Sequence, residues 1–111
     1  MFALEWCEFC WSIRKMLDRC GVPYRSVDLD SVAYQKGDRG GKIRAVLKNK
    51  TAWTTIPQIF VGSEFVGGCT DMLELSKKGE LVNRLQTLGI AHNDLIYEDP
   101  YSYLPVWLHP R

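Results

Sequence analysis

The chain has 111 residues, 46% of them hydrophobic and 24% charged, and a formal net charge of +1. That is enough for one domain around one core, and a charge so close to zero argues against nucleic acid or an anionic membrane surface as a partner. No apolar run approaches the ~20 residues that span a bilayer, and no basic start leads into an apolar signal-type centre, so the expected compartment is the cytoplasm or another reducing space.

Met1 to Leu4 is short and apolar and reads as the end of a buried strand. From Phe9 the apolar residues Ile13, Met16, Leu17 and Cys20 fall on one helical face, while Arg14, Lys15, Asp18 and Arg19 lie largely off it. Gly21 stops this helix, with Pro23 just beyond. Tyr24 to Leu29 alternates and predicts a second strand. A polar, glycine-rich loop follows, then a short amphipathic helix over Lys42 to Lys50 with Ile43, Val46 and Leu47. Gln58 to Val61 and Glu64 to Val66 read as two strands joined by the two-residue turn Gly62-Ser63. Thr70 or Asp71 is expected to cap a helix running to about Lys78, and Glu80 to Leu88 predicts a last amphipathic helix. The expected order is β-α-β-α-β-β-α-α over residues 1–90. Residues 91–111 form a separate extension rich in proline and aromatic residues, without a clean period.

The chemistry concentrates in Trp6-Cys7-Glu8-Phe9-Cys10. Cys7 falls just before the first helix, where unpaired N–H groups and the helix dipole stabilise an anion. Cys10 falls one turn inside, so its sulfur can reach that of Cys7. A thiolate at Cys7 could attack a disulfide and Cys10 could then resolve the mixed disulfide. The same spacing serves half of a zinc site, although zinc normally needs a second pair or histidines at matching intervals. The bland alternative is two ordinary buried thiols. Cys20 and Cys69 read as small buried apolar residues. No metal ligands are assigned.

Three motifs in order resemble the glutaredoxin family: the CxxC opening a helix, Thr55-Ile56-Pro57, and Gly67-Gly68-Cys69-Thr70-Asp71. The resemblance covers roughly residues 2 to 88. It implies an α/β thioredoxin fold, with a mixed four-stranded sheet flanked by helices, followed here by an irregular tail. It also implies a glutathione-dependent thiol–disulfide oxidoreductase acting on glutathionylated and disulfide-containing proteins, with glutathione reductase upstream. In that frame Cys7 takes the glutathionyl group and Cys10 resolves. Pro57 is a cis-proline facing the site, and Ile56 offers its backbone to the cysteinyl part of glutathione. Thr70 and Asp71 hold the γ-glutamyl end, within a binding segment that includes Gly68 and Cys69. Each of these residues also has a plain structural reading, as a strand start, a turn or a helix cap.

The pattern departs from the family in several places. Glu8 replaces the proline of CPYC, and a carboxylate there works against a neighbouring thiolate. Leu4 stands where a lysine often binds the glycine carboxylate of glutathione, and Trp53 where a polar groove residue is common. Lys48, Lys50 and Arg14 are candidate replacements for that charge, although a solvated role is expected of each. Family members without the proline include carriers of a [2Fe–2S] cluster bridged between two subunits by the first cysteine and glutathione, so the alternative is an iron–sulfur glutaredoxin. The tail is expected to bury Tyr101, Leu104 and Trp107, or else to dock on a partner domain. Its ending and the minimal first strand also suggest one domain of a bacterial fusion protein.

Overall fold

The protein is described by a computed structural model. It describes residues 1–104, so Trp107 lies outside the described residues.

Two short ribbons make the sheet. Strand β1 (Phe2–Ala3) pairs in parallel with β2 (Val27–Asp28), Phe2 opposite Val27. Strand β3 (Ile59–Val61) pairs antiparallel with β4 (Glu64–Gly67), Phe60 opposite Phe65, with an irregularity between Ile59 and Phe60. A single antiparallel bridge, Phe2 to Gln58, joins the ribbons through hydrogen bonds of 2.8 and 2.9 Å. The resulting order β2-β1-β3-β4 is the mixed four-stranded arrangement expected.

Ile59 and Val61 point to one face. There they meet Ile13, Met16 and Leu17 of α1 (Glu8–Arg19), Met72 and Leu73 of α4 (Cys69–Lys77), and Leu81 and Leu85 of α5 (Glu80–Leu88). Phe60, between them, points to the other face and meets Phe2 edge-to-face at 5.8 Å. That alternation is the period of two of a strand. The second face is partly covered by α3 (Arg39–Thr51), reached through a single turn, α2 (Val32–Gln35), and a 3-10 turn at Lys36–Asp38. Gly40 lets α3 start against the end of β2, since a Cβ there would sit 2.1 Å from the Leu29 carbonyl oxygen.

Several expectations need correction. The second strand is shorter than the alternation of Tyr24 to Leu29 implied. The third helix is longer than Lys42 to Lys50 and buries only Gly40 and Leu47, leaving Val46 62% exposed. Phe9, counted on the apolar stripe of α1, is 41% exposed, whereas the adjacent Cys10 is fully buried. The tail is more ordered than its composition indicated. It makes two 3-10 turns, Asp94–Tyr97 and Pro100–Tyr103, that bury Ile96, Pro100 and Tyr103 against the same core. Tyr101 and Leu104 are only partly buried. Asn93 fastens the tail by donating to the Arg19 carbonyl at 2.9 Å, while its main-chain N–H donates to that of Cys20 at 2.8 Å.

Candidate functional site

Cys7 is the N-cap of α1, in an extended conformation, and its carbonyl accepts the first helical bond from the Trp11 N–H at 2.9 Å. Its side chain is half-buried, whereas Cys10, in the first turn, is fully buried. The Cys10 thiol donates to the Cys7 sulfur. Burial, and then this contact with Cys7, push the Cys10 thiol up to about 12 against a usual value near 9. A hydrogen bond from the Leu4 main chain works in the opposite direction. Cys10 therefore stays protonated while Cys7 is the one thiol of the four within reach of a reagent.

The loop between α3 and β3 supplies the opposing wall. The Ile56–Pro57 bond is cis, as the motif led us to expect. Gln58, 1% exposed, was not singled out from the sequence, yet it organises this loop. Its Nε2 donates to the Trp53 and Thr55 carbonyls at 3.0 and 3.3 Å, and its Oε1 accepts from Thr51 Oγ1 at 3.1 Å. The only signal in the sequence was a glutamine at the head of an otherwise apolar strand. Ile56 is half-buried beside it. Trp53 is no open groove residue: its ring meets Phe65 edge-to-face at 5.3 Å and lies over Gly68.

The third wall is the start of α4. Gly68, rather than Thr70 or Asp71, is the N-cap, and the helix begins at Cys69. Asp71 is its third residue and reaches back to accept from the Gly68 N–H at 3.0 Å. Gly67 sits at φ +128°, and a Cβ there would lie 2.7 Å from the Asp71 carboxylate, so the residue must be glycine for the reach-back to form. Thr70 and Asp71 are exposed at this helix start, where N–H groups favour an anion. Cys69 is buried. Its thiol is pushed up to about 11 by burial and by the nearby charge of Cys7. Gly68 lies within 3.5 Å of the Pro57 carbonyl, measured from where its Cβ would be. Cys7, Cys10, Pro57, Gly68, Cys69 and the start of α4 are thus brought to one place.

Arg14 is not solvated as expected. It is half-buried, donating to the Leu4 carbonyl at 3.1 Å and pairing with Asp28 at 2.5 Å. It braces the strand that leads to Cys7. Lys48 is exposed, and Lys50 lines a cavity under α3.

The family model for glutaredoxin matches residues 1–66, more than half of the chain. The chain belongs to the glutaredoxin family. It is 33% identical over 94 residues to Monothiol glutaredoxin-S10 of Oryza sativa subsp. japonica, covering 85% of this chain and 55% of that protein. It is 35% identical over 81 residues to the chloroplastic Glutaredoxin-C5 of Arabidopsis thaliana, covering 73% of this chain and 44% of that protein. The chain thus spans about half the length of these two relatives. Among solved structures, the buckwheat glutaredoxin–glutathione complex superposes with a TM-score of 0.72 at 31% identity, over 79% of this chain and 76% of that one. The glutaredoxin structures share its thioredoxin fold.

Proposed function

We propose that this glutaredoxin is a glutathione-dependent thiol–disulfide oxidoreductase that reduces protein–glutathione mixed disulfides and protein disulfides. The observation that carries the proposal is the division of labour at the head of α1. Cys7 is accessible, and Cys10 is sealed, protonated and hydrogen-bonded to it.

The Cys7 thiolate attacks the glutathionyl sulfur of the substrate. The substrate's S–S bond breaks, its protein thiolate leaves and takes up a proton, and a Cys7–glutathione disulfide forms. A second glutathione thiolate attacks the glutathionyl sulfur, frees Cys7 and departs as oxidised glutathione, which glutathione reductase returns to the thiol. With a protein disulfide, Cys7 attacks first, breaking the substrate's S–S bond and forming a mixed disulfide with the protein. Cys10 then attacks the Cys7 sulfur and surrenders its proton to the departing protein thiolate, and two glutathione thiols reduce the resulting Cys7–Cys10 disulfide and leave as oxidised glutathione. Glutathione lies between the two walls. Its cysteinyl backbone pairs with Ile56 beside Pro57, and its γ-glutamyl carboxylate meets the N–H groups at Gly68 to Thr70. Its ammonium meets Asp71. That a similar buckwheat glutaredoxin forms a complex with glutathione supports glutathione as the ligand. A reducing compartment such as the cytoplasm is part of the proposal, since both cysteines must be regenerated as thiols.

The test is glutathione-dependent reduction of a small mixed disulfide, coupled to glutathione reductase. Cys7→Ser abolishes turnover, and Cys10→Ser retains it. Activity that survives Cys7→Ser would end the proposal.

A second reading, a [2Fe–2S] carrier, is favoured by Glu8 at the position of the CPYC proline. Each copy offers one accessible thiol, Cys7, so the donor set fits only if bound glutathione and a second copy complete it. Anaerobic reconstitution with iron and sulfide separates the readings: a coloured dimer that requires both Cys7 and glutathione supports the carrier.

A further inference from the structure

The face of the sheet turned away from α1 is incompletely covered. Between α3 and the strands lies a cavity of about 780 Å3, within the range of small-molecule sites. It is at the opposite end of the strands from Cys7: the Gly62–Ser63 turn closes it, whereas Pro57 opens β3 at the other end. Its floor is apolar, built from Phe2, Ile43, Leu47 and the Phe60 ring.

Its rim is cationic. Lys42 and Lys50 stand at i and i+8 on α3, with exposed Val46 at i+4 between them. They lie along one stripe, roughly 12 Å apart at 1.5 Å per residue. Arg25 faces them from the chain entering β2. No aspartate or glutamate lines the cavity. Among the described residues, neither these three cations nor any other residue of α3 takes part in an ion pair. The helix carries five cations and no acid. An ordinary packed helix at this place would bring Val46 onto the sheet, yet it is left standing beside an open apolar floor.

We propose that this cavity binds an amphipathic carboxylate: an acyl chain or comparable apolar body lies on the Phe2–Phe60 floor, and its carboxylate is held by the rim cations. Charge complementarity selects the anion, and the apolar lining excludes small polar anions as sufficient ligands. The site is separate from the thiol chemistry, and it needs no electron or group transfer.

The probe is dodecanoate below its micellar range, titrated into the full 111-residue chain and followed by amide chemical shifts and by calorimetry. Dodecanol serves as the neutral analogue. The expected result is saturable binding with shifts concentrated at Phe2, Ile43 and Phe60, and binding of dodecanol at least tenfold weaker. The Lys42→Glu/Lys50→Glu double variant should weaken dodecanoate at least tenfold. Lys36→Glu, an exposed cation that does not line the cavity, should leave it unchanged, and turnover of the mixed disulfide should stay at the wild-type rate in both variants. The proposal is overturned by the absence of saturable binding, by dodecanol binding equally well, or by a double variant that still binds. It is also overturned by shifts centred on Trp6 and Trp11, or by a concentration-dependent dimer that buries the same residues.

Discussion

Asp71 holds the helix start in the structure and has a second task in the proposal, and substitution can separate the two. It accepts the Gly68 N–H at the head of α4, and it is proposed to meet the ammonium of glutathione. Asp71→Ala loses both, with a stability cost of about 1 kcal/mol for the helix-start bond. Asp71→Asn keeps an oxygen for Gly68 and removes the charge. It should stay within a few tenths of a kcal/mol of wild type in urea, while the KM for glutathione rises about fivefold, as loss of a ~1 kcal/mol exposed charge contact gives. An Asn variant with wild-type KM would show that Asp71 is a cap and nothing more. Cys10 makes a prediction about pH. Its thiol ionises near 9 in the unfolded chain and about 12 in the native protein. Between those values the unfolded chain has lost a proton that the native state keeps, so stability falls as pH rises through that window. Cys69, pushed up to about 11, contributes in the same direction over the lower part of it. Urea denaturation of the reduced protein at pH 8 and pH 10 should show a smaller loss for Cys10→Ser than for wild type; parallel losses would contradict the account.

The start of α3 is held by an approach that tolerates no side chain. Gly40→Ala places a methyl 2.1 Å from a main-chain oxygen at the end of β2, so helix or strand must move. A cost of ~3 kcal/mol follows, at the upper end for overpacking, read from the urea midpoint. The docked tail is the second element with a measurable consequence. Tyr103 is 5% exposed and hydrogen-bonded to the buried Cys20, at the far end of α1 from Cys7. Tyr103→Ala should cost ~3–4 kcal/mol, as aromatic truncations in cores do, and should open Cys20 to alkylation at a rate wild type does not show. Wild-type protection of Cys20 in that variant would mean that the tail does not seal this end of the core. Elements with strong periodicity were legible in the sequence: α1 from its apolar stripe, α5 to the residue, the hairpin from Gly62-Ser63. The tail was not, because prolines and tyrosines without a period carry no helix or strand signal. Its order comes from tertiary contacts with α1 and α4. The cap of α4 was misread for a similar reason. Thr70 and Asp71 are good capping residues, but Gly67 lets the chain turn early and moves the helix start to Cys69.

At the scale of the molecule, the sheet and cis-proline loop bring three separate stretches of chain to one site, each announced by its own motif. What the motifs could not announce is the supporting layer. Gln58 looks like any strand residue until its three partners are seen, and Arg14 looks solvated until Asp28 and Leu4 enclose it. The cavity under α3 was equally invisible, because Val46 fits an amphipathic pattern whose apolar face the fold then leaves partly uncovered. No helix among the described residues is long and apolar enough to cross a membrane. The central claim is that Cys7 alone accepts the glutathionyl group while Cys10 resolves. The most direct measurement is mass spectrometry of Cys10→Ser after exposure to oxidised glutathione, with the modified cysteine located by peptide mapping. The account predicts one glutathionyl adduct, on Cys7, released by reduced glutathione. An adduct on Cys69 or Cys20 with Cys7 left free would contradict it.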